Sequence, residues 1–92
     1  MLRIDRARTG DVRVTFVLRR DARRVSVVGD FNDWRPGVHE LRPRSNGTRS
    51  VAVTVPPGTD VRFRYLVEGG HWANETEHPD VRQFGDDSVI SL

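Results

Sequence analysis

Apolar and polar residues alternate with a period of two along most of this chain. Val12, Val14, Phe16 and Leu18 fall on one side of an extended segment, with Arg13 and Thr15 on the other, the pattern of a strand with one face in a core. A second apolar stretch, residues 25–28, follows a charged turn at 19–24 and runs into Gly29-Asp30-Phe31-Asn32-Asp33-Trp34, a loop that ends at Pro36 and Gly37. Segments 38–44 and 49–55 flank Ser45-Asn46-Gly47-Thr48. Asn-Gly tolerates the positive φ angles of a tight turn, so the two segments are predicted to pair as a hairpin. Pro56, Pro57 and Gly58 turn the chain into a further strand, in which Val61, Phe63, Tyr65 and Val67 point inward and Arg62 and Arg64 outward, closed by Glu68-Gly69-Gly70. A loop carrying Trp72 and the acidic stretch 74–80 leads to a last strand at 88–92. There is no sustained helical spacing. About seven short strands at this spacing predict an all-β chain, an immunoglobulin-like antiparallel β-sandwich.

Ninety-two residues are expected to form one domain, spanning 1–92, in which only about 60–65% of the unfolded surface can be buried. The absence of cysteine leaves that thin core without disulfides or thiolate metal sites. It fits a reducing compartment, and a cytoplasmic location is expected. No apolar run approaches the ~18 residues of a membrane span, so no membrane partner is expected. All fifteen basic residues are arginine, which reads as a compositional bias more than as a phosphate-binding surface, and nucleic acid is not an expected partner. Residues 1–50 hold twelve Arg against six acidic residues, whereas 51–92 hold three against seven. Such a split either sets two attracting solvated faces against each other or steers a partner.

The residues also limit the chemistry. Without cysteine or a Gly-x-Ser-x-Gly elbow there is no activated nucleophile of the common kinds. Without a Gly-rich loop leading into a helix there is no phosphate cradle. His71, Glu75, Glu77, His78 and Asp80 cluster in sequence, but two histidines seven apart match no ordinary ligand spacing. Neither metal nor cofactor is expected. A glycosidase carboxylate pair would need a walled cleft, which so small a sandwich can hardly build. The chain is therefore read as a binding protein and not an enzyme. Trp34 and Trp72 are its most informative residues. Each could cap one end of the core. Two of them in loops, beside outward Arg64, also suit a sugar platform, where flat rings meet the C–H face of glucose and polar neighbours reach its hydroxyls.

The segment Gly29-Asp30-Phe31-Asn32-Asp33-Trp34 resembles the Gly-x-Phe-Asn-x-Trp signature of glycogen-binding carbohydrate-binding modules of isoamylase N-terminal type, family 48. Such modules are the N-terminal domains of debranching and branching enzymes and the glycogen-binding domain of the AMP-activated protein kinase β subunit. The similarity continues through Pro56-Pro57-Gly58, the strand around Phe63-Arg64-Tyr65, Gly70-His71-Trp72 and Ser88-Val89-Ile90, covering roughly residues 12–92. The resemblance implies non-catalytic binding of an α-glucan such as glycogen, starch or a maltooligosaccharide, with a glycogen-metabolising enzyme or another protein as a further partner. It places Trp34 and Trp72 as the stacking rings and Arg64 where the family has a hydroxyl-binding lysine. Phe84 takes the place of an apolar residue that presses on the glucan, with ordinary core packing as its alternative. Asp87 stands where the family has a sugar-binding asparagine. A carboxylate lacks the amide's donor and costs more to desolvate, so Asp87→Asn is expected here to tighten binding by roughly 0.5–1.5 kcal/mol. Asn32, Gly29 and Phe31 are expected to hold the loop. Some relatives serve only as protein-interaction or spacer domains. Burial of either tryptophan would favour that alternative, and a basic nucleic-acid-binding domain is the third reading.

Overall fold

The computed structural model describes residues 2–19, 23–76 and 78–92. Part of the charged turn at 19–24, and Glu77 of the acidic stretch, lie outside the described residues. The chain is all-β, with nine strands among the described residues. These are β1 (Leu2–Arg6), β2 (Val12–Arg19), β3 (Val25–Gly29), β4 (Arg42–Pro43), β5 (Thr48–Val55), β6 (Asp60–Val67), β7 (His71–Ala73), β8 (Val81–Phe84) and β9 (Asp87–Ser91). They form two antiparallel sheets stacked as a sandwich. The first runs β1-β2-β5-β4. The second runs β3-β6-β9-β8, with β7 paired to the far end of β6.

The alternation read from the sequence sets the core. Val12, Val14 and Phe16 of β2 face Val61, Phe63 and Tyr65 of β6, and all six are buried. Phe16 meets the Phe63 ring edge-on at 4.9 Å and the Phe31 ring at 5.8 Å. Fully burying such side chains contributes about 1.5–3 kcal/mol each. In a domain this small that cluster is the main stabilising element.

Three strands were not foreseen, and with the six segments marked in the sequence they make the nine of the described residues. In β1 only Leu2 and Ile4 point inward, opposite Phe16 and Val14. The rest of this edge strand is charged, as edge strands tend to be. In β8, Val81 and Gln83 share the inner side, so no apolar alternation marks it. The third, β7, carries Trp72, which therefore stands on a strand and not in a loop. The expected strand at 38–44 is mostly not one. Only Arg42 and Pro43 pair with β5, on an edge where proline's missing N–H is tolerated. Upstream, Val27 N–H donates to the His39 carbonyl at 2.9 Å and Leu41 N–H to that of Val25 at 2.8 Å. Residues 39–43 thus cross from one sheet to the other, with Leu41 buried between them. The Asn-Gly turn forms as expected, with Gly47 at φ 81° and Asn46 Oδ1 accepting from Thr48 N–H at 3.2 Å. Among the described residues no helix is long and apolar enough to cross a membrane.

Candidate functional site

The same alternation that buries Val61, Phe63 and Tyr65 turns Arg62, Arg64 and Leu66 to the outer face of the second sheet. Register then decides what joins them. Leu66 pairs with Trp72 of β7, Arg62 with Val89 of β9, and Asp87 of β9 with Phe84 of β8. Side chains of paired residues lie on one side of a sheet. Arg64, Trp72, Phe84 and Asp87 therefore share one outward surface.

Trp34 reaches that surface through the turn after β3. Residues Asp30–Asn32 form one turn of 3-10 helix, and Asp33 and Trp34 follow with left-handed φ angles of 55° and 58°. Two successive non-glycine residues in that region are strained, and side-chain bonds hold them there. Asn32, which is buried, accepts from Gly29 N–H at 3.0 Å and donates to the Val27 carbonyl at 3.0 Å. Trp34 N–H donates to the Gly29 carbonyl at 3.0 Å, and its indole Nε1–H to Asp30 Oδ1 at 3.2 Å. Gly29 has extended backbone, so its need for glycine is one of space. A Cβ there would press into the Arg62 carbonyl oxygen and lie 2.8 Å from the Phe31 ring.

Arg64 stands between the two tryptophans, its guanidinium carbon 5.9 Å from the Trp34 ring centre and 5.6 Å from that of Trp72. Both distances lie within cation–π range. Asp87 Oδ1 accepts from Arg64 Nε, and Oδ2 lies 3.5 Å from Arg62 Nε. The Arg62 guanidinium in turn covers the Phe84 ring at 5.0 Å. Trp34, Arg64, Trp72, Asp87, Arg62 and Phe84 thus form one connected chain of rings and guanidiniums. The Asp87 side chain is only 14% exposed. By contrast Trp72 is 56% and Phe84 66% exposed, and Trp34 is half-buried. Core packing for Phe84 is therefore not what the fold does with it. Open depressions of about 340 Å³ and about 310 Å³ flank Arg62 on this face, one bounded by Trp34, Arg64 and Asp87, the other by Phe84 and Arg82.

All five residues singled out in the sequence come together here. Two others were missed. Arg62 was placed outward but given no role, although its spacing from Arg64 was signal enough. Asp30 lies four residues before Trp34 within the signature. Glu75, grouped in sequence with potential metal ligands, is buried instead. It accepts from Tyr65 Oη at 2.9 Å, its N–H donates to Ser88 Oγ at 3.0 Å, and its carbonyl accepts from Gln83 Nε2 at 2.8 Å. It ties the segment between β7 and β8 to the sheet. Ser88 is fully buried in that network and offers no nucleophile. Among the described residues no group of three or more His, Asp or Glu could hold a metal ion. Chemically the face offers flat apolar rings and fixed N–H donors, with the Asp87 carboxylate offset by two guanidiniums.

The profile of the family described as Carbohydrate-binding module 48 (Isoamylase N-terminal domain) matches residues 7–79. Similar proteins are 1,4-alpha-glucan branching enzymes GlgB. That of Rhodopseudomonas palustris strain BisB5 is 40% identical over 68 residues, 74% of this chain and 9% of the enzyme. That of strain HaA2 is 64% identical over 31 residues, 34% of this chain and 4% of the enzyme. The Salinibacter ruber enzyme is 40% identical over 58 residues, 62% and 9% respectively. The chain therefore corresponds to less than a tenth of the length of these relatives.

Proposed function

The chain belongs to the carbohydrate-binding module 48 (isoamylase N-terminal domain) family, and on that premise we propose that the outer face of its second sheet binds an α-glucan without transforming it. The observation that carries this reading is the placement of Trp34 and Trp72 on either side of Arg64, on one open face. An α-linked glucan presents a C–H face that can lie on indole rings, while guanidinium N–H groups donate to its hydroxyl oxygens. Phe84 extends the apolar surface beyond Arg62. The relatives' names, 1,4-alpha-glucan branching enzymes, support the choice of glycogen, starch or maltooligosaccharide as ligand class. Their catalytic activity does not follow from so short a matching segment.

In this reading Asp87 does less for the sugar than its position suggests. Both its carboxylate oxygens are engaged by arginines, so it orients Arg64 and Arg62 and is not itself the main hydroxyl acceptor. Stacking contacts of ~0.5–1.5 kcal/mol each and hydrogen bonds of about 1 kcal/mol leave little surplus after association costs. A dissociation constant in the micromolar to millimolar range is expected. We take residues 1–92 as one domain, working in the cytoplasm beside a glycogen-metabolising enzyme.

The test is retention on insoluble starch, with maltoheptaose as competitor. Retention that maltoheptaose abolishes, and that Trp72→Ala loses without unfolding, supports the reading. A folded parent that passes through unretained favours a spacer or protein-interaction role.

A further inference from the structure

The turn that presents Trp34 is held by a hydrogen bond whose direction its surroundings dictate. Asn32 Oδ1 accepts from the Gly29 N–H, and Nδ2 donates to the Val27 carbonyl. A backbone N–H can only donate and a carbonyl can only accept, so the amide has one orientation. Its nitrogen also faces His39 Nδ1 at 3.0 Å. Nδ2 has no lone pair to offer, so Nδ1 must accept, and the ring proton must sit on Nε2. The ring is fixed on other sides as well. It meets Phe31 edge-on at 5.3 Å, and the His39 carbonyl accepts from Val27 N–H. Protonation would place two donors against each other at a buried amide, where an unsatisfied group is costly.

From this we infer that His39 is a positioning residue for the Trp34 platform. Its neutral Nε2–H form holds Asn32, and Asn32 holds the left-handed pair Asp33 and Trp34. The Asn32 main-chain carbonyl accepts from Arg35 N–H at 3.2 Å, so side chain and backbone of this one residue anchor both sides of the tryptophan. Only an imidazole with a free lone pair on Nδ1 can make this bond. The glucan part of this inference rests on the proposed function, whereas the lock itself does not.

Other charged groups nearby have separate partners. β3 carries no ionisable side chain. On the turn, Asp30 holds the Trp34 indole and Asp33 is exposed. On the 39–41 segment, Glu40 pairs with Arg24 at 3.4 Å. Asp87 pairs with Arg62 and Arg64. His71 neighbours Trp72 in sequence, its ring close to Gly69, and needs a control.

The experiment has two arms. In the first, maltoheptaose binding at pH 8 is compared between the parent, His39→Ala and His39→Gln. His39→Ala is expected to lose roughly five- to tenfold in affinity, the worth of one buried hydrogen bond. His39→Gln, whose Oε1 can accept from Asn32 Nδ2, regains most of it. His71→Ala keeps the parent's affinity. The second arm needs no sugar. Imidazole ¹⁵N spectra of the parent at pH 8 should show His39 protonated on Nε2 alone. In a Trp72→Phe background Trp34 is the sole tryptophan, and its emission should change with His39→Ala and match the parent's with His39→Gln. A proton on Nδ1 at pH 8, emission indifferent to His39→Ala, or an affinity that His39→Ala leaves unchanged would each overturn the inference. Absence of glucan binding by the parent, with the second arm as expected, would instead overturn the proposed function and leave the lock standing. Should the variants unfold, the parent's tautomer still decides.

Discussion

Replacing Asp87 by asparagine changes one oxygen to an amide nitrogen and keeps the side chain's shape. From sequence alone, binding should tighten, since a neutral amide is cheaper to desolvate and regains a donor. The geometry argues for the opposite sign. Asp87 is 14% exposed and already lies against Arg64 and Arg62, so its desolvation cost is offset before any sugar arrives. Removing the charge leaves two guanidiniums, 30% and 41% exposed, without their shared anchor. A hydrogen bond to a charged group contributes about 1.5–3 kcal/mol when shielded, and an exposed ion pair about 0–1 kcal/mol. For arginines this open, solvent screening puts the loss near the lower figures, roughly 1 kcal/mol. Arg64 then explores rotamers that do not bridge Trp34 and Trp72, and that ordering cost falls on binding. Asp87→Asn should therefore weaken maltoheptaose binding about three- to tenfold, with a loss of thermal stability of about 1 kcal/mol. Calorimetric titration of parent and variant with the same maltoheptaose stock, with circular dichroism melts of both, measures the two effects. Tighter binding by the variant would refute the anchoring argument and show that the carboxylate repels the ligand. Unchanged binding would show that Arg64 does not depend on Asp87.

Trp72→Ala should cost roughly tenfold in glucan affinity, near the upper end of one stacking contact, while the melting curve hardly moves, because the ring is 56% exposed; a large loss of stability would mean that it is a structural residue. Trp34→Ala should lose comparable affinity and also about 1 kcal/mol of stability, since this ring is half-buried and bonded to Asp30, and urea unfolding separates the two effects. Gly29→Ala should destabilise the fold by about 1–3 kcal/mol, as overpacking does, and urea unfolding within ~0.5 kcal/mol of the parent would show that the strand and turn can shift to admit a methyl group. Binding to a neutral glucan releases no condensed counterions, so affinity should change little between about 50 and about 500 mM salt, whereas a collapse over that range would point to a phosphate-bearing ligand.

How legible this was in the sequence depended on how each element is stabilised. β2 and β6 are buried on one face along their length, so period-two alternation showed them directly and placed Arg62 and Arg64 outward. β1 and β8 are edge strands with few inward apolar residues, and β7 has three exposed residues paired only with the end of β6. Long-range hydrogen bonding makes these strands, and a local pattern cannot report it. The 39–43 crossing was hidden for a similar reason, since Leu41 looks like any strand residue until its bond to β3 is seen. Trp34, Arg64, Trp72, Phe84 and Asp87 were legible as separate candidates, mainly through the family signature. Their mutual contacts were not, because the Asp87 pairing with Arg64 joins residues twenty-three apart. That pairing is the ground for the orienting role proposed for Asp87.

Whether the outer face of the second sheet is the glucan surface is tested most directly by amide and indole NMR resonances during a maltoheptaose titration. Saturable shifts are expected at both indole N–H groups and at Arg62, Arg64, Phe84 and Asp87, with β1 and the outward residues of β2 unmoved. Shifts confined to the first sheet, or none at millimolar sugar with a folded protein, would contradict it.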